Sequence, residues 1–181
     1  MASVVAVAGR RIDAADAEAS RFPLAAVARV RDRIRELLIA RRAAMVVSSA
    51  ACGTDLLALE IAGDLGLRRS IVLPAEPAAF RASSVVDRPG DWGASYDGII
   101  AEVAAAGDLL VREPGCAGDA AYAATNRAIL ELATGFAAAA GLDRLAVIVW
   151  NGEPRGPGDI TLNFADAARG RGFAVVEIST L

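Results

Sequence analysis

Two segments of this chain have the residue types and spacing to hold an anion. In each, a run of β-branched residues passes into glycine and small polar residues and then directly into an apolar helical pattern: MVVSSAACGTDLLALEIA at 45–62 and AVIVWNGEPRGPGDITLNFADAA at 146–168. Glycine lets backbone N–H groups come close to a phosphate, and the positive end of the following helix favours negative charge at the same point. Two such turns in one parallel sheet suggest a pocket for a phosphorylated ligand.

The lack of any histidine constrains the chemistry further. It removes Ser-His-Asp and Cys-His nucleophilic machinery and any imidazole metal site, leaving acid–base work to carboxylates, tyrosine or water. The two cysteines, Cys52 and Cys116, form no CxxC motif and are too few for a structural zinc, so neither a metal centre nor a cofactor is expected. Cys52 lies inside the first glycine turn, where a helix N-terminus would lower its thiol pKa, but a packing role stands ahead of a catalytic one. The candidate catalytic carboxylates are Asp55, Glu60 and Glu113. Two of them have a plainer alternative: Asp55 as the start of its helix, Glu60 as a surface residue or the partner of a nearby arginine. Arg10, at a strand end, offers planar donors to a phosphate.

The elements that position these residues alternate between strand and helix. Strands are expected at Ser3 to Ala8, Met45 to Ser48, Ser70 to Leu73, Leu109 to Val111, Arg144 to Trp150 and Ala174 to Ile178. Helices are expected from about Pro23 to Arg42, over Leu57, Ile61 and Leu65, from Asp91 to Ala106, from Ala120 to Ala140 and from Ile160 to Arg169. Phe80, Ser83, Ser84, Pro89 and Gly90 are read as a loop. This alternation implies a mostly parallel sheet covered on both faces, a three-layer α/β sandwich. Open parallel sheets bind ligands beyond the carboxyl ends of their strands, which here carry Gly9 and Arg10, Ser48 and Ser49, Glu113 and Gly115, and Asn151 and Gly152. Tyr122, Asn126 and Arg127 could line the pocket from the long helix, whereas Trp92 and Trp150 read as packing residues.

At 181 residues and 55% hydrophobic, much of it alanine, the chain can bury one sizeable core, and residues 1–181 are expected to form a single domain. No run of about 18 uninterrupted apolar residues occurs, and the N-terminus opens on a strand, so no membrane association is expected and cytoplasmic residence follows. A net charge of −3 argues against a nucleic-acid partner bound by broad phosphate neutralisation. The arginines at 21, 29, 31, 33, 35, 41 and 42 alternate with an apolar stripe and read as a solvated helix face.

In order along the chain, Gly9 to Asp13, Arg21-Phe22-Pro23, Cys52 to Asp55 with Glu60, Val72-Leu73-Pro74, Phe80, Ser84-Val85, Trp92, and Trp150-Asn151-Gly152 followed by Gly156 to Thr161 resemble the SLOG superfamily of Rossmann-like proteins. That superfamily takes in phosphoribohydrolases of the Lonely guy type, the DNA-processing protein A fold and sensors of nucleotide-derived signals. The similarity runs toward a branch fused to bacterial cyclase or repeat domains, with a GHxxD-like first turn and a GGAD-like second turn. The resemblance covers nearly the whole chain. It implies a Rossmann-like fold whose glycine turns hold the phosphate and ribose of a nucleotide or nucleotide derivative. Carried over residue by residue, Gly9 and Arg10 would reach the ligand from the first strand end, with Ser49, Gly53, Thr54 and Asp55 from the second turn. Asn151, Gly152, Gly156, Gly158 and Thr161 would reach it from the third.

The departures are specific. Arg10 stands where this branch has histidine, and Ala51-Cys52 replaces a glycine. Where the phosphoribohydrolases read PGGxGTxxE, this chain reads Pro157-Gly158-Asp159-Ile160-Thr161-Leu162-Asn163, without the glutamate that would polarise a glycosidic bond. Binding as a sensor or recognition domain is therefore the leading expectation. An N-glycosidic hydrolase or transferase, and an interaction domain with a vestigial pocket, are the alternatives. Association with further copies of the same chain stays open.

Overall fold

The computed structural model describes residues 1–112 and 118–181. Glu113, Gly115 and Cys116 lie outside the described residues. Six strands, β1 (Ser3–Gly9), β2 (Ala43–Ser48), β3 (Arg68–Leu73), β4 (Leu109–Val111), β5 (Asp143–Trp150) and β6 (Ala174–Ser179), form one sheet in the order β4-β3-β2-β1-β5-β6. Every neighbouring pair is parallel. The helices are α1 (Val27–Ala40), preceded by a 3-10 turn at Leu24–Ala26, α2 (Thr54–Asp64), α3 (Pro77–Ser84), α4 (Gly93–Ala105), α5 (Asp119–Ala140) and α6 (Ile160–Gly170). This is an α/β Rossmann-like sandwich.

Side-chain alternation along the strands builds two cores. Val5, Val7, Val46, Ile71, Leu145 and Val147 face one way, against Val30, Ile34 and Leu38 of α1, the buried body of α2, and Tyr96, Ile99 and Val103 of α4. Val4, Ala6, Met45, Val72, Ala146 and Ile148 face the other, against alanines of α5 and Phe164, Ala165 and Ala168 of α6. The small side chains at Ala128, Ala133 and Ala137 let the α5 backbone lie close to the sheet. Residues Leu56 to Leu59, with Ile61 and Ala62, are buried all round α2, the pattern of a helix enclosed by neighbours. Among the described residues no helix is long and apolar enough to cross a membrane.

One element departs from expectation. Phe80, Ser83 and Ser84, read as loop, lie in α3, with Pro77 in its first turn. A proline there loses no needed N–H and its fixed φ suits the helix, so the same residue type that stops β3 at Pro74 starts a helix three positions later. Ser83 accommodates the helix by donating its hydroxyl back to Ala79 O at 3.1 Å.

Strand order reverses between β1 and β5. From β1 the chain steps outward to β4, then α5 carries it back across the sheet to place β5 on the other side of β1. At such a switch point the flanking crossovers leave on opposite faces and a crevice opens above the strand ends. Gly9 closes β1 at this point, paired with Val149 of β5. A Cβ on Gly9 would stand 2.3 Å from Val149 O and 2.5 Å from the Thr54 hydroxyl, so the position admits no side chain. Gly9→Ala is expected to destabilise the fold by about 1–3 kcal/mol, the range for overpacking, measurable by urea unfolding. A neutral outcome would mean that β1 and α2 separate readily at this contact.

Candidate functional site

A cleft of about 350 Å³ opens at this switch point. That volume lies within the roughly 300–1,000 Å³ of small-ligand sites. Its walls come from the end of β1 (Gly9, Arg10, Arg11), the β2–α2 turn (Ser49, Ala51, Asp55), Phe80 of α3, the first half of α5, and residues 155–161 before and into α6. The two glycine turns are thus on one edge and share one cavity. Of the residues expected to bind, Gly9, Arg10, Ser49, Asp55, Gly156, Gly158 and Thr161 line it. Gly53, Thr54, Asn151 and Gly152 do not.

The glycines divide into two kinds. Gly53, with φ of +90°, has Ile12 N and Arg10 O at 3.0 and 3.1 Å from where a Cβ would sit, so with Gly9 it serves the close approach of the α2 turn to β1. Thr54 completes that junction, its hydroxyl donating to Arg10 O at 2.9 Å. Gly156 and Gly158 also have positive φ, +143° and +81°, but nothing stands within 4 Å of their missing Cβ positions. The N–H groups of Gly156, Gly158 and Ile160 have no acceptor among the described residues. The open anion-accepting backbone is therefore in the 156–160 turn, and the first turn is packed.

Arg10 is not a free cation. Its side chain is 2% exposed and pairs with a fully buried Asp159 at 2.7 Å. The same guanidinium donates to Glu153 O at 2.6 Å, Asn151 Oδ1 at 3.3 Å and Thr161 Oγ1 at 3.3 Å, and lies over the Trp150 ring. It thereby clamps the end of β1 to the segment leading into α6. Asp159 caps α6, accepting from Thr161 N and Leu162 N, and also takes Arg155 N at 2.8 Å. Burial raises the Asp159 pKa, but these N–H donors and Arg10 outweigh it and hold the carboxyl below its ordinary value. Asp159 is therefore a structural anion.

Arg155, exposed at the cleft wall, forms no ion pair among the described residues. Partial burial lowers its pKa, with further lowering by the charges of Arg10, Arg21 and Arg11 against the pull of Asp159. Mutual repulsion among arginines marks this mouth as electropositive. Arg11, also in the wall, pairs with Asp87 at 3.0 Å. Arg155 has a sequence signal that the motif comparison passed over: a lone cation between glycines in the turn already singled out.

The carboxylates separate cleanly. Asp55 is a buried cleft residue in the first turn of α2, its Oδ2 accepting Ala51 N at 3.2 Å. Burial pushes its pKa from 3.8 to about 7, against lowering by the Ala51 N–H, the Ser48 hydroxyl and Arg11. Such a group in a cleft is a functional candidate on physical grounds. Glu60 lies away from the cleft, bound by Arg31 and the Ser95 hydroxyl. Arg35 pairs with Asp64, while Arg29 and Arg33 donate to carbonyls of Thr180 and Ser179, so the arginine-rich face of α1 is tied to α2 and β6. Cys52 is buried and its thiol is pushed up to about 11, chiefly by burial, the reverse of the lowering expected at a helix N-terminus. It packs.

From α5, Asp119, Tyr122, Thr125 and Asn126 reach the cleft, spaced along one helix face, whereas Arg127 points elsewhere on the helix. Tyr122 shares a hydrogen bond with Ser84 at 3.0 Å and Asn126 donates to Ile160 O at 3.3 Å. Trp92 and Trp150 are packed, their indole N–H groups donating to Pro89 O and Glu177, both at 2.9 Å.

No family model matches the chain, and no curated protein matches it. Among solved structures it is similar to DNA processing protein A from Streptococcus pneumoniae, at 17% sequence identity and a TM-score of 0.45. That similarity covers 96% of this chain and 58% of the other, so the chain spans little more than half the length of that protein.

Proposed function

We propose that this domain binds a nucleotide or nucleotide-derived ligand, with its phosphate on the 156–160 turn, and acts as a sensor or recognition module of the SLOG kind. The observation that carries the reading is the set of open N–H groups at Gly156, Gly158 and Ile160 in the switch-point cleft, beside an arginine without a carboxylate partner among the described residues. Backbone donors at a helix start, next to a guanidinium, are suited to a phosphate.

A thermal-shift panel followed by calorimetry tests it, using nucleoside mono- and diphosphates, NAD, ADP-ribose, cyclic nucleotides and inorganic pyrophosphate. At least one phosphorylated compound is expected to bind, and Arg155→Ala to weaken it by about 1.5–3 kcal/mol with the unliganded melting temperature unchanged. Preference for a single-stranded oligonucleotide over every mononucleotide would replace this reading with a nucleic-acid one.

Asp55 favours one second reading, an N-glycosidic hydrolase, because a cleft carboxyl with a pKa of about 7 is suited to proton transfer. Base release from nucleoside monophosphates that vanishes in Asp55→Asn would establish it. Glu60→Gln is expected to change neither binding nor turnover, since Glu60 lies outside the cleft.

A further inference from the structure

We infer that the outer edge of β6 pairs with β6 of a second copy of this chain, antiparallel about a two-fold axis, so that the sheet runs on through a symmetric dimer. The inference goes beyond the phosphate reading and does not depend on it, because neither α1 nor β6 contributes to the cleft.

The two edges of the sheet differ. β4 is three residues long, and a very short edge strand is one of the ways proteins limit pairing with other chains. β6 runs for six residues, each in register with residues 145–150 of β5 and without a bulge. Its sequence, AVVEIS, carries neither proline nor a cation. The one charge, Glu177, is engaged on the α6 face by the Trp150 indole N–H at 2.9 Å and by Arg169 at 3.0 Å. Arg29 and Arg33 reach over from α1, but only to the carbonyls of Thr180 and Ser179. Among the described residues no side chain or loop bonds the backbone of 174–178. The outward N–H and C=O groups of that stretch therefore form an open template, with none of the usual devices that blunt an edge.

The surface beside the edge selects the occupant. Arg33, Glu36, Leu37 and Ala40 share one face of α1, at i, i+3, i+4 and i+7, and with Val176 and Ile178 they line a groove along the strand. Leu37 and Val176 are half-buried, while Arg33 and Glu36 are exposed. Neither of these two has an opposite charge among the described residues, although Arg31 and Arg35 on the same helix are paired with Glu60 and Asp64. A strip that offers one cation and one anion about a turn apart, beside apolar side chains, complements itself. Two-fold rotation about the β6 edge sets the two α1 helices antiparallel on one face of the sheet and brings Arg33 of each copy toward Glu36 of the other. A strand from an acidic or a basic protein would satisfy one of these charges and be repelled by the other.

Sedimentation equilibrium on the full chain over a concentration series tests this. A species of twice the 18.6 kDa chain mass is expected. Val176→Lys, which puts a cation at the strand edge, should leave a folded monomer. Arg33→Glu and Glu36→Arg, both at exposed helix positions, should each weaken the dimer about tenfold, because each replaces two attractive contacts by two repulsive ones. The double variant Arg33→Glu/Glu36→Arg should recover the parent's dimerisation, and an equimolar mixture of the two single variants should form the heterodimer in preference to either homodimer. Circular dichroism confirms that each variant is folded, and the two helix-surface variants decide the matter if Val176→Lys is not. A chain that stays monomeric at every concentration, whether its edge is bare or taken by a strand of another protein, overturns the inference. A dimer indifferent to all of these substitutions overturns it as well, since its interface then lies elsewhere.

Discussion

Arg10→Ala is expected to lower the unfolding free energy by about 3–5 kcal/mol, the usual effect of breaking a buried ion pair from one side. The Asp159 side chain is fully buried, and removing its partner leaves a carboxylate held only by backbone N–H groups. Three further acceptors from the 151–161 segment, Asn151 Oδ1, Glu153 O and Thr161 Oγ1, also lose their guanidinium donors. Against the roughly 5–15 kcal/mol of a typical domain this is a large fraction, equivalent to some 10 °C in melting temperature. Urea unfolding at pH 7.5 measures it. A loss under about 1 kcal/mol, together with loss of phosphate binding, would instead assign the side chain to the ligand.

Asp55→Asn is expected to act in the opposite direction, and more strongly as the pH rises. The folded protein holds the Asp55 proton up to about pH 7, while the unfolded chain releases it near 3.8. Folding therefore takes up a proton in this window, and the parent's stability falls as pH climbs from the unfolded to the folded value, then levels off. At about 1.4 kcal/mol per pH unit, the advantage of the uncharged asparagine should grow by about 2–3 kcal/mol between pH 5 and pH 8. Denaturant titrations of both proteins at the two pH values check this, and parallel stabilities would show that Asp55 is well solvated in its ionised form.

The strands were legible in the sequence because each is a short β-branched run bounded by glycine, proline or charge. The strand-end residues Gly9 and Asn151 were legible for the same reason. α3 was not, because Pro77 and two serines carry turn propensity that the burial of Phe80 and Ser84 overrides. The cleft was only partly legible. The glycine turns pointed to the correct edge, but which glycines pack and which stay open depends on the β1–α2 contact, a distance no spacing encodes. Arg10 was conspicuous as a cation at a strand end, and its engagement follows from Asp159, 149 residues further along, with no local pattern joining them. Ser49 and Asp55 look like ordinary turn and helix-start residues until burial is known.

The placement of β5 between β1 and β6 has a consequence for biosynthesis. During translation the first 111 residues can assemble β1 to β4, leaving β1 as an apolar sheet edge until residues 143–150 emerge to cover it. The Arg10 guanidinium has no Asp159 to meet during that interval, and long-range pairings of this kind form late because loop closure must come first. An open edge of Val4, Val5 and Val7 is a template for pairing with other chains. A nascent chain stalled before β5 thus lacks the cleft and exposes a pairing edge, so formation of the cleft and protection of that edge depend on the same strand.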